Sequence, residues 1–188
     1  MRRVFGAVLL STLLVACSSG PNLSSGDQTG FVSADGTAVV KDVNERGSAV
    51  TFIANDVGTQ EPWNLTKNRG KVILLNAWGP WCAPCRKELP ELQKIYTELS
   101  SKGLMIVGLA TRTNATSTLA YTKKFNITYP QLADYDSAAL AQIPGIPSAT
   151  VPGTIFIDRK GRVAGWALGA ADPALIRSIA QSLLEENA

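Results

Sequence analysis

Two nearly continuous apolar runs lie in the middle of the chain, at residues 71–78 and 104–110. Runs of this length without alternation predict strands that are buried on both faces of a sheet. Between them, residues 82–101 carry apolar side chains at helical spacing, with charged side chains mostly on the other side. The Lys102-Gly103 pair that follows is typical of a helix end. The order strand, helix, strand predicts a parallel pair with a right-handed crossover.

Weaker patterns on either side complete an α/β fold, a mixed sheet flanked by helices. Apolar pieces at 38–40 and 49–53, separated by glycine turns, predict an amino-terminal hairpin extension over residues 31–66. After the central unit, the sequence predicts helices at 116–125 and 137–142, a strand at 154–157, a hairpin turn at 158–161, a returning strand at 162–168, and a last helix at 173–186 capped by Asp172.

A pair of thiols stands where the first buried strand gives way to the helix, in the segment Trp81-Cys82-Ala83-Pro84-Cys85. Two cysteines at this spacing can close a disulfide within one helical turn, and a helix N-terminus favours a thiolate. The motif predicts reversible dithiol–disulfide exchange. A zinc half-site needs four Cys or His ligands, whereas this chain has no His and one other Cys. A purely structural bridge across so short a loop would stabilise little.

Composition narrows the function further. The 188 residues, 45% hydrophobic and 18% charged, suit one domain plus extensions. The net charge of +3 is small and the basic residues are scattered, so no nucleic-acid partner is expected. The absence of His excludes Ser–His and Cys–His nucleophile pairs, and neither a metal nor another cofactor is expected. A peroxidase is disfavoured because no separate peroxidatic cysteine stands outside the Cys82/Cys85 pair.

The amino terminus has the pattern of an export signal. Arg2 and Arg3 precede an apolar segment at residues 4–16, whose 13 residues are too few to span a bilayer, since spanning takes about 20. The segment ends Leu-Leu-Val-Ala-Cys17, which resembles the lipobox of bacterial lipoproteins. This resemblance implies a signal peptide at 1–16, lipidation of Cys17, and a location on the extracytoplasmic face of the bacterial cell membrane. The alternative is an ordinary secretory signal with an incidental cysteine.

Residues 18–30 are rich in Ser, Gly, Asp, Asn and Gln and nearly devoid of apolar side chains. Such a composition cannot form a packed core. With Cys17 as the attachment point, residues 17–30 are therefore predicted to be a flexible tether that lets the folded domain stand off the membrane.

The order of elements, with Trp-Cys-x-x-Cys after the first strand of the βαβ unit, resembles the thioredoxin fold. More narrowly, residues 70–78 and 81–92 resemble the TlpA/ResA group of membrane-tethered thioredoxins, and the likeness extends over about residues 60–186. It implies a thioredoxin-like domain at 31–188. Cys82 would be the exposed nucleophile that forms a mixed disulfide with a client, and Cys85 the resolving thiol that releases it.

Thioredoxin-like proteins carry a cis-proline loop facing the cysteine pair, and residues 151–158 resemble it. Pro152 would follow the cis bond, and Val151 would supply main-chain contacts to an extended substrate. Pro144 and Pro147 are rival candidates, and an ordinary trans proline at a strand start is the alternative for Pro152. Trp78 and Trp81 are expected to shield the thiols, and Trp81 also to contact the substrate. The alternative for either is a place in the core, which is the favoured role of Trp78.

Glu88 matches a glutamate that ResA-like proteins keep beside the cysteine pair. It lies three positions after Cys85, on the same helix face. A partly buried carboxylate there would raise the pKa of the nearby thiol and favour a reductant. The alternative is a solvated surface glutamate. Asn76 stands where cytoplasmic thioredoxins have a buried aspartate, so Glu88 is the favoured proton-handling group.

These expectations combine into a membrane-tethered thiol–disulfide oxidoreductase. By resemblance it is a reductant of protein disulfides, with apocytochrome c as the expected client. Cytosolic thioredoxin reductase cannot reach this compartment, so electrons are expected from a membrane thiol transporter. The protein is expected to be a monomer. A disulfide-forming oxidase of secreted proteins and a non-catalytic, lipid-anchored binding module are the alternatives.

Overall fold

The computed structural model describes residues 31–32, 38–146 and 150–186, so the predicted signal peptide 1–16, Cys17 and the tether lie outside the described residues. The strands in the described part are β1 (Phe31–Val32), β2 (Ala38–Val40), β3 (Ile53–Asn55), β4 (Pro62–Asn64), β5 (Val72–Trp78), β6 (Leu104–Thr111), β7 (Gln131–Asp134), β8 (Gly153–Ile157) and β9 (Val163–Leu168). The α-helices there are α1 (Ala83–Leu99), α2 (Ala115–Lys124) and α3 (Pro173–Glu185).

Seven of these strands form one mixed sheet in the order β1-β2-β9-β8-β5-β6-β7. Strands β5 and β6 are parallel and joined through α1, as the sequence predicts. Strand β8 runs antiparallel to β5, and β9 returns antiparallel to β8, so the predicted hairpin is also confirmed. This order puts β5 in the interior of the sheet, and the cysteine pair follows the carboxyl end of that strand.

All seven residues of β5 are buried because both faces of the sheet are covered. On one face, Leu74 packs in a cluster with apolar side chains of α1 and α3, including Leu92 and Ile176. On the other face, Ile73 and Leu75 pack with side chains from the amino-terminal region and the loops. Alternate residues of one strand thus serve two cores, which explains the continuous apolar run.

The helices begin where the sequence offers a cap. The Asp172 side chain accepts a hydrogen bond from the backbone N–H of Ala174, and Pro173 opens α3. Helix α1 continues through Pro90 to Leu99. In the described ranges, no helix has both the length and the apolar character needed to cross a bilayer.

The amino-terminal extension is divided differently from the prediction. Strand β2 pairs with β1 and also with β9, so it extends the main sheet. The second predicted piece, 49–53, is mostly irregular, and only its last residue enters β3, which pairs with β4 in a separate two-stranded sheet. The difference arises because the edge of β9 would otherwise have unpaired backbone groups. Strand β2 pairs with these groups instead of with residues 49–53.

The region after α2 differs more. Strand β7 was not predicted, although it pairs with β6 in parallel. The helix predicted at 137–142 is only a single 3₁₀ turn at Leu140–Gln142. The buried Asp134 carboxylate explains this, since its Oδ1 accepts the backbone N–H groups of Ala139 and Leu140. These two N–H groups therefore bond to a side chain instead of to the backbone carbonyl groups that would accept them in an α-helix.

Candidate active site

The cysteine pair lies at the carboxyl end of β5, where α1 begins. Cys82 is the N-cap of α1 and Cys85 lies in its first turn, with the two Cα atoms 5.3 Å apart and the sulfurs joined in a disulfide. The Sγ of Cys82 also accepts the backbone N–H of Cys85 at 3.3 Å. When the bond is reduced, a Cys82 thiolate would therefore keep a backbone donor and the positive end of the helix dipole.

The expectation that Cys82 is exposed needs correction. It is 4% exposed and Cys85 is 0% exposed, so both sulfurs are largely covered while they are bonded to each other. The covering comes from a small cluster with Trp78 and Leu89, against which Val151 also packs. Cys82 remains the more accessible of the pair, and this order agrees with its predicted role as the nucleophile.

The loop before β8 lies against this cluster. The Val151–Pro152 peptide bond is cis, as predicted, whereas the bond before Pro144 is not, and Pro147 lies outside the described residues. The carbonyl oxygen of Pro152 accepts the N–H of Gly169 at 2.9 Å, which anchors the loop to the end of β9. No backbone hydrogen bond to Val151 occurs within the described ranges, so its main chain is available to an extended peptide.

Glu88 is buried on the inner side of α1, one turn after Cys85, and is 6% exposed. Burial raises the pKa of its carboxyl group to about 7, although the amide of Asn76 partly opposes the rise. That amide directs its well-formed hydrogen bond to Oγ1 of Thr154, at 3.0 Å. Within the described part of the chain, neither carboxyl oxygen of Glu88 has a hydrogen-bond partner. The predicted burial of Glu88 is confirmed, and the alternative of a solvated glutamate is wrong.

Two tryptophans flank the pair in different ways. Trp78 is fully buried, and its Nε1 donates to Oε1 of Gln131 at 2.8 Å. Trp81 is 48% exposed, and its Nε1 donates to the carbonyl oxygen of Thr111 at 3.1 Å. Trp78 is therefore part of the core, whereas Trp81 presents a fixed indole ring beside Cys82.

Comparison with known families decides the relationship. The family model described as the AhpC/TSA family matches residues 46–165, well over half of the chain. The chain belongs to the AhpC/TSA family. This span includes the cysteine pair, Glu88 and the cis-proline loop.

Among AhpC/TSA relatives, the thiol-disulfide oxidoreductase ResA of Bacillus subtilis (strain 168) is 27% identical over 134 residues, covering 71% of this chain and 73% of that protein. The thiol-disulfide oxidoreductase ResA of Geobacillus thermodenitrificans (strain NG80-2) is 29% identical over 116 residues, covering 62% and 64%. The chain thus spans slightly less than two-thirds of the Geobacillus protein. The resemblance to the TlpA/ResA group is confirmed by these relatives.

Solved structures agree. A secreted thiol-disulfide isomerase from Corynebacterium glutamicum is 28% identical with a TM-score of 0.76, covering 83% of this chain and 97% of its own. A DsbF homologue from Corynebacterium diphtheriae is 29% identical with a TM-score of 0.72, covering 81% and 98%. The thioredoxin-like fold is confirmed, and this AhpC/TSA protein is a thiol–disulfide oxidoreductase.

Sequence reasoning missed one residue at the mouth of the site. Arg112 directly follows β6, and its guanidinium carbon lies 4.5 Å from the centroid of the Trp81 ring. Parallel strands end at the same edge of a sheet, so a basic residue after β6 had to lie near the residues after β5. That topological argument was the available signal. Hydrophobic periodicity could not indicate this position, because Arg112 lies between β6 and α2 and belongs to neither.

Proposed function

We propose that this oxidoreductase is a lipid-anchored reductant of protein disulfides on the extracytoplasmic face of the bacterial cell membrane. The observation that carries the direction of electron flow is Glu88, a buried carboxyl group with no hydrogen-bond partner in the described residues, one helical turn after Cys85. Burial disfavours the charged form of Glu88 and raises its pKa to about 7, so the carboxyl group can hold and release a proton near neutral pH.

The reaction starts from the reduced pair. The Cys82 thiolate attacks a client disulfide, so that one client sulfur leaves as a thiolate and a mixed disulfide forms. Cys85 then loses its proton and attacks Cys82, which releases the second client thiolate and closes the Cys82–Cys85 disulfide. Two electrons pass to the client, and the two client thiolates take up two protons. A helix N-terminus favours the first thiolate, whereas Glu88 would exchange the proton of the second.

Glu88 also bears on the potential. Once ionised, it places a negative charge on the Cys85 side of the helix, which raises the pKa of the thiol and destabilises the thiolate form of the reduced pair. A dithiol that is less stabilised as thiolate is a stronger reductant. Cysteine pairs that act as strong oxidants have the opposite property, a reduced form stabilised by a very low thiol pKa.

The location and partners follow from the sequence at the amino terminus and from the family. Cys17 at the end of the lipobox-like segment would carry the lipid, and the chain's similarity to a secreted enzyme supports a site outside the cytoplasm. Apocytochrome c is the client that the TlpA/ResA resemblance implies. A membrane thiol transporter would return the electrons, because cytosolic reductases do not reach this compartment. The catalytic unit would be a monomer.

The reduction potential of the Cys82/Cys85 pair, measured by equilibration with glutathione, tests the direction. A reductant should equilibrate below about −250 mV, whereas a value near −120 mV would place the pair among the strong oxidants and refute the proposal. In a separate experiment, Cys85→Ser should trap a client as a mixed disulfide in the native membrane. Cys82→Ser is the matched control and should trap none.

A second candidate is the formation or shuffling of disulfides in secreted proteins. It is favoured by the helix N-terminus at Cys82, which lowers the pKa of a free thiol, and by the likeness to a protein described as a secreted isomerase. The same potential measurement separates the two candidates, and Glu88 is the structural reason for preferring the reductant.

A further inference from the structure

Arg112 is held against Trp81 by the backbone and by the ring itself. Its φ of 49° lies in the left-handed region, which residues other than glycine seldom adopt. The guanidinium stacks at 4.5 Å on the face of an indole whose N–H is already bound to the carbonyl of Thr111. Such stacking fixes the plane of the cation and leaves its edge available. The result is an oriented guanidinium beside the residue that precedes Cys82.

Within the described ranges, this cation has no acidic partner. Arg112 is exposed, and no carboxylate in the described ranges forms a salt bridge or hydrogen bond with it. Its donors are therefore free to bind an oxygen acid from outside, and a planar guanidinium matches a carboxylate with two parallel hydrogen bonds. By contrast, Arg46 and Arg162 at the other end of the sheet are both paired with Asp158.

The exposed charged side chains of residues 79–88 and 111–133 are all positive. These two segments contain a single acidic residue, the buried Glu88. The next carboxylate, that of Asp134, is also buried and accepts a hydrogen bond from the hydroxyl of Thr111, and the exposed Asp136 lies beyond the end of β7. The two segments adjoin, since the hydroxyl of Tyr121 in α2 donates to the carbonyl of Arg86 in α1 at 3.2 Å. Their basic residues are all exposed and lack a salt bridge in the part of the chain described: Arg86, Lys87, Arg112, Lys123 and Lys124.

We propose that the Arg112–Trp81 pair is a specificity element that selects client segments carrying carboxylates within two or three residues of the disulfide cysteine. Arg112 would bind the carboxylate, Trp81 would pack against the neighbouring side chain, and the main chain of Val151 would hold the segment extended. The wider basic surface attracts the acidic segment before contact and so raises the rate of encounter. This inference rests on the proposed exchange between Cys82 and client disulfides.

Two synthetic disulfide peptides test it, identical except for two Glu or two Lys residues flanking the cysteine. At about 10 mM salt, where charges act over about 30 Å, the reduced full-length protein should reduce the Glu peptide about tenfold faster than the Lys peptide. The ratio should fall to about twofold in Arg112→Gln and below one in Arg112→Glu. Arg112→Lys keeps the charge but loses the stacked guanidinium and its two parallel hydrogen bonds, so its ratio should lie between those of the wild type and Arg112→Gln. At about 1 M salt all ratios should approach one.

Lys71→Gln is the matched control, because Lys71 is an exposed lysine at the opposite end of β5 and its loss should leave the peptide ratio unchanged. Reduction of the small, uncharged 2-hydroxyethyl disulfide measures the exchange chemistry without a charged client. If every variant reduces that compound normally but the wild-type peptide ratio is near one, or is unmoved in Arg112→Glu, the inference is overturned and the proposed function stands. If the wild-type protein reduces neither compound, the proposed function is wrong and this inference falls with it.

Discussion

Glu88 occupies a position that favours its protonated form. Its side chain is buried between α1 and the sheet, and the nearby polar atoms Asn76 Oδ1 and the Tyr129 hydroxyl also lack hydrogen-bond partners among the described residues. The Glu88 charge contributes, after burial, to raising the pKa of Tyr129, so the two side chains are near each other. Unsatisfied buried polar groups are costly, and a protein retains them where they have a role in chemistry.

The free-energy cost of burying the ionised Glu88 side chain should appear as a pH dependence of the free energy of unfolding. The Glu88 pKa rises from 4.5 in the unfolded chain to about 7 in the folded protein. Its contribution to the free energy of unfolding is therefore fully favourable below pH 4.5, declines as the pH rises to about 7, and is constant above. The decline amounts to at most about 3 kcal/mol. Glu88→Gln should remove it, so that the stability of the variant relative to the wild type rises between pH 4.5 and about 7, as measured by urea unfolding.

Glu61→Gln is the matched control for that series. Glu61 is exposed, so its replacement should leave the pH profile unchanged. If Glu88→Gln and Glu61→Gln follow the same profile as the wild type, Glu88 titrates normally in the folded protein and loses its special place in the mechanism.

At the level of single residues, the sequence identifies the reactive residues more readily than the side chains that surround them. Cys82 and Cys85 are recognisable because their spacing itself allows a disulfide, and Pro152 and Glu88 because a family motif places them. Arg112 carries no such mark, since its importance comes from an indole 31 positions earlier in the sequence. The covering of Cys82 could not be predicted either, because it depends on how closely Val151 and Trp78 pack.

Among the elements, β7 shows how a short strand escapes prediction. Its four residues begin with Gln131 and end with Asp134, both buried and polar, so neither alternation nor an apolar run marks it. Its strand conformation comes from pairing with β6 rather than from its own propensity. By contrast, β5, β6 and α1 have long periodic patterns and are predicted within one or two residues of their observed ends.

Strand β7 matters to the site through Gln131, whose Oε1 holds the buried Trp78 beneath the disulfide. Gly108 in β6 lies opposite Gln131, and a Cβ atom at Gly108 would overlap the side-chain amide of Gln131. Gly108→Ala should therefore displace Gln131, break its bond to Trp78 and lower the free energy of unfolding by about 1–3 kcal/mol. Urea unfolding followed by tryptophan fluorescence measures both the stability and the environment of Trp78.

Gly47→Ala provides the comparison, because a Cβ atom there meets nothing within 4 Å. It should change the stability by less than about 1 kcal/mol, with a slight gain expected from the stiffer unfolded chain. Equal stability of the two variants would show that the amide of Gln131 can move without loss, and that β7 does not support the site.

Across the whole molecule, the two ends of the sheet differ in how charge is arranged. The end bearing the cysteine pair has unpaired cations, whereas the other end closes on a buried cluster. There Arg46, from the loop after β2, bonds Asp158 after β8 at 3.2 Å and Glu186 after α3 at 2.6 Å. Arg162 bonds the same Asp158 at 2.7 Å. This cluster joins three distant parts of the chain and leaves the opposite end free for clients.

The cluster should be a major source of stability, and a pH-dependent one. Burial alone would raise the pKa of Asp158, but hydrogen bonds from Arg162 and Arg46 outweigh it and hold the pKa below its ordinary value of 3.8. Arg46→Gln removes one partner and leaves Asp158 less compensated, so the variant should lose about 2–4 kcal/mol at pH 7. Because the folded pKa is lowered, the contribution is present above pH 3.8 and is lost as the pH falls through the folded value. The difference between wild type and variant should therefore narrow below pH 4.

Arg177→Gln is the comparison variant, because it removes an ordinary surface ion pair instead of a member of the buried cluster. Arg177 pairs with Glu98 between α3 and α1, and both side chains are partly exposed. Its loss should cost less than about 1 kcal/mol, with little change between pH 7 and pH 4. Urea titrations of both variants at pH 7, at pH 4 and at about pH 3, which is below the ordinary pKa of Asp158, decide the matter. A loss of similar size in the two variants at pH 7 would mean that Arg46 is no more than a surface partner, and that the amino-terminal extension is held by the pairing of β2 with β9 and by apolar packing.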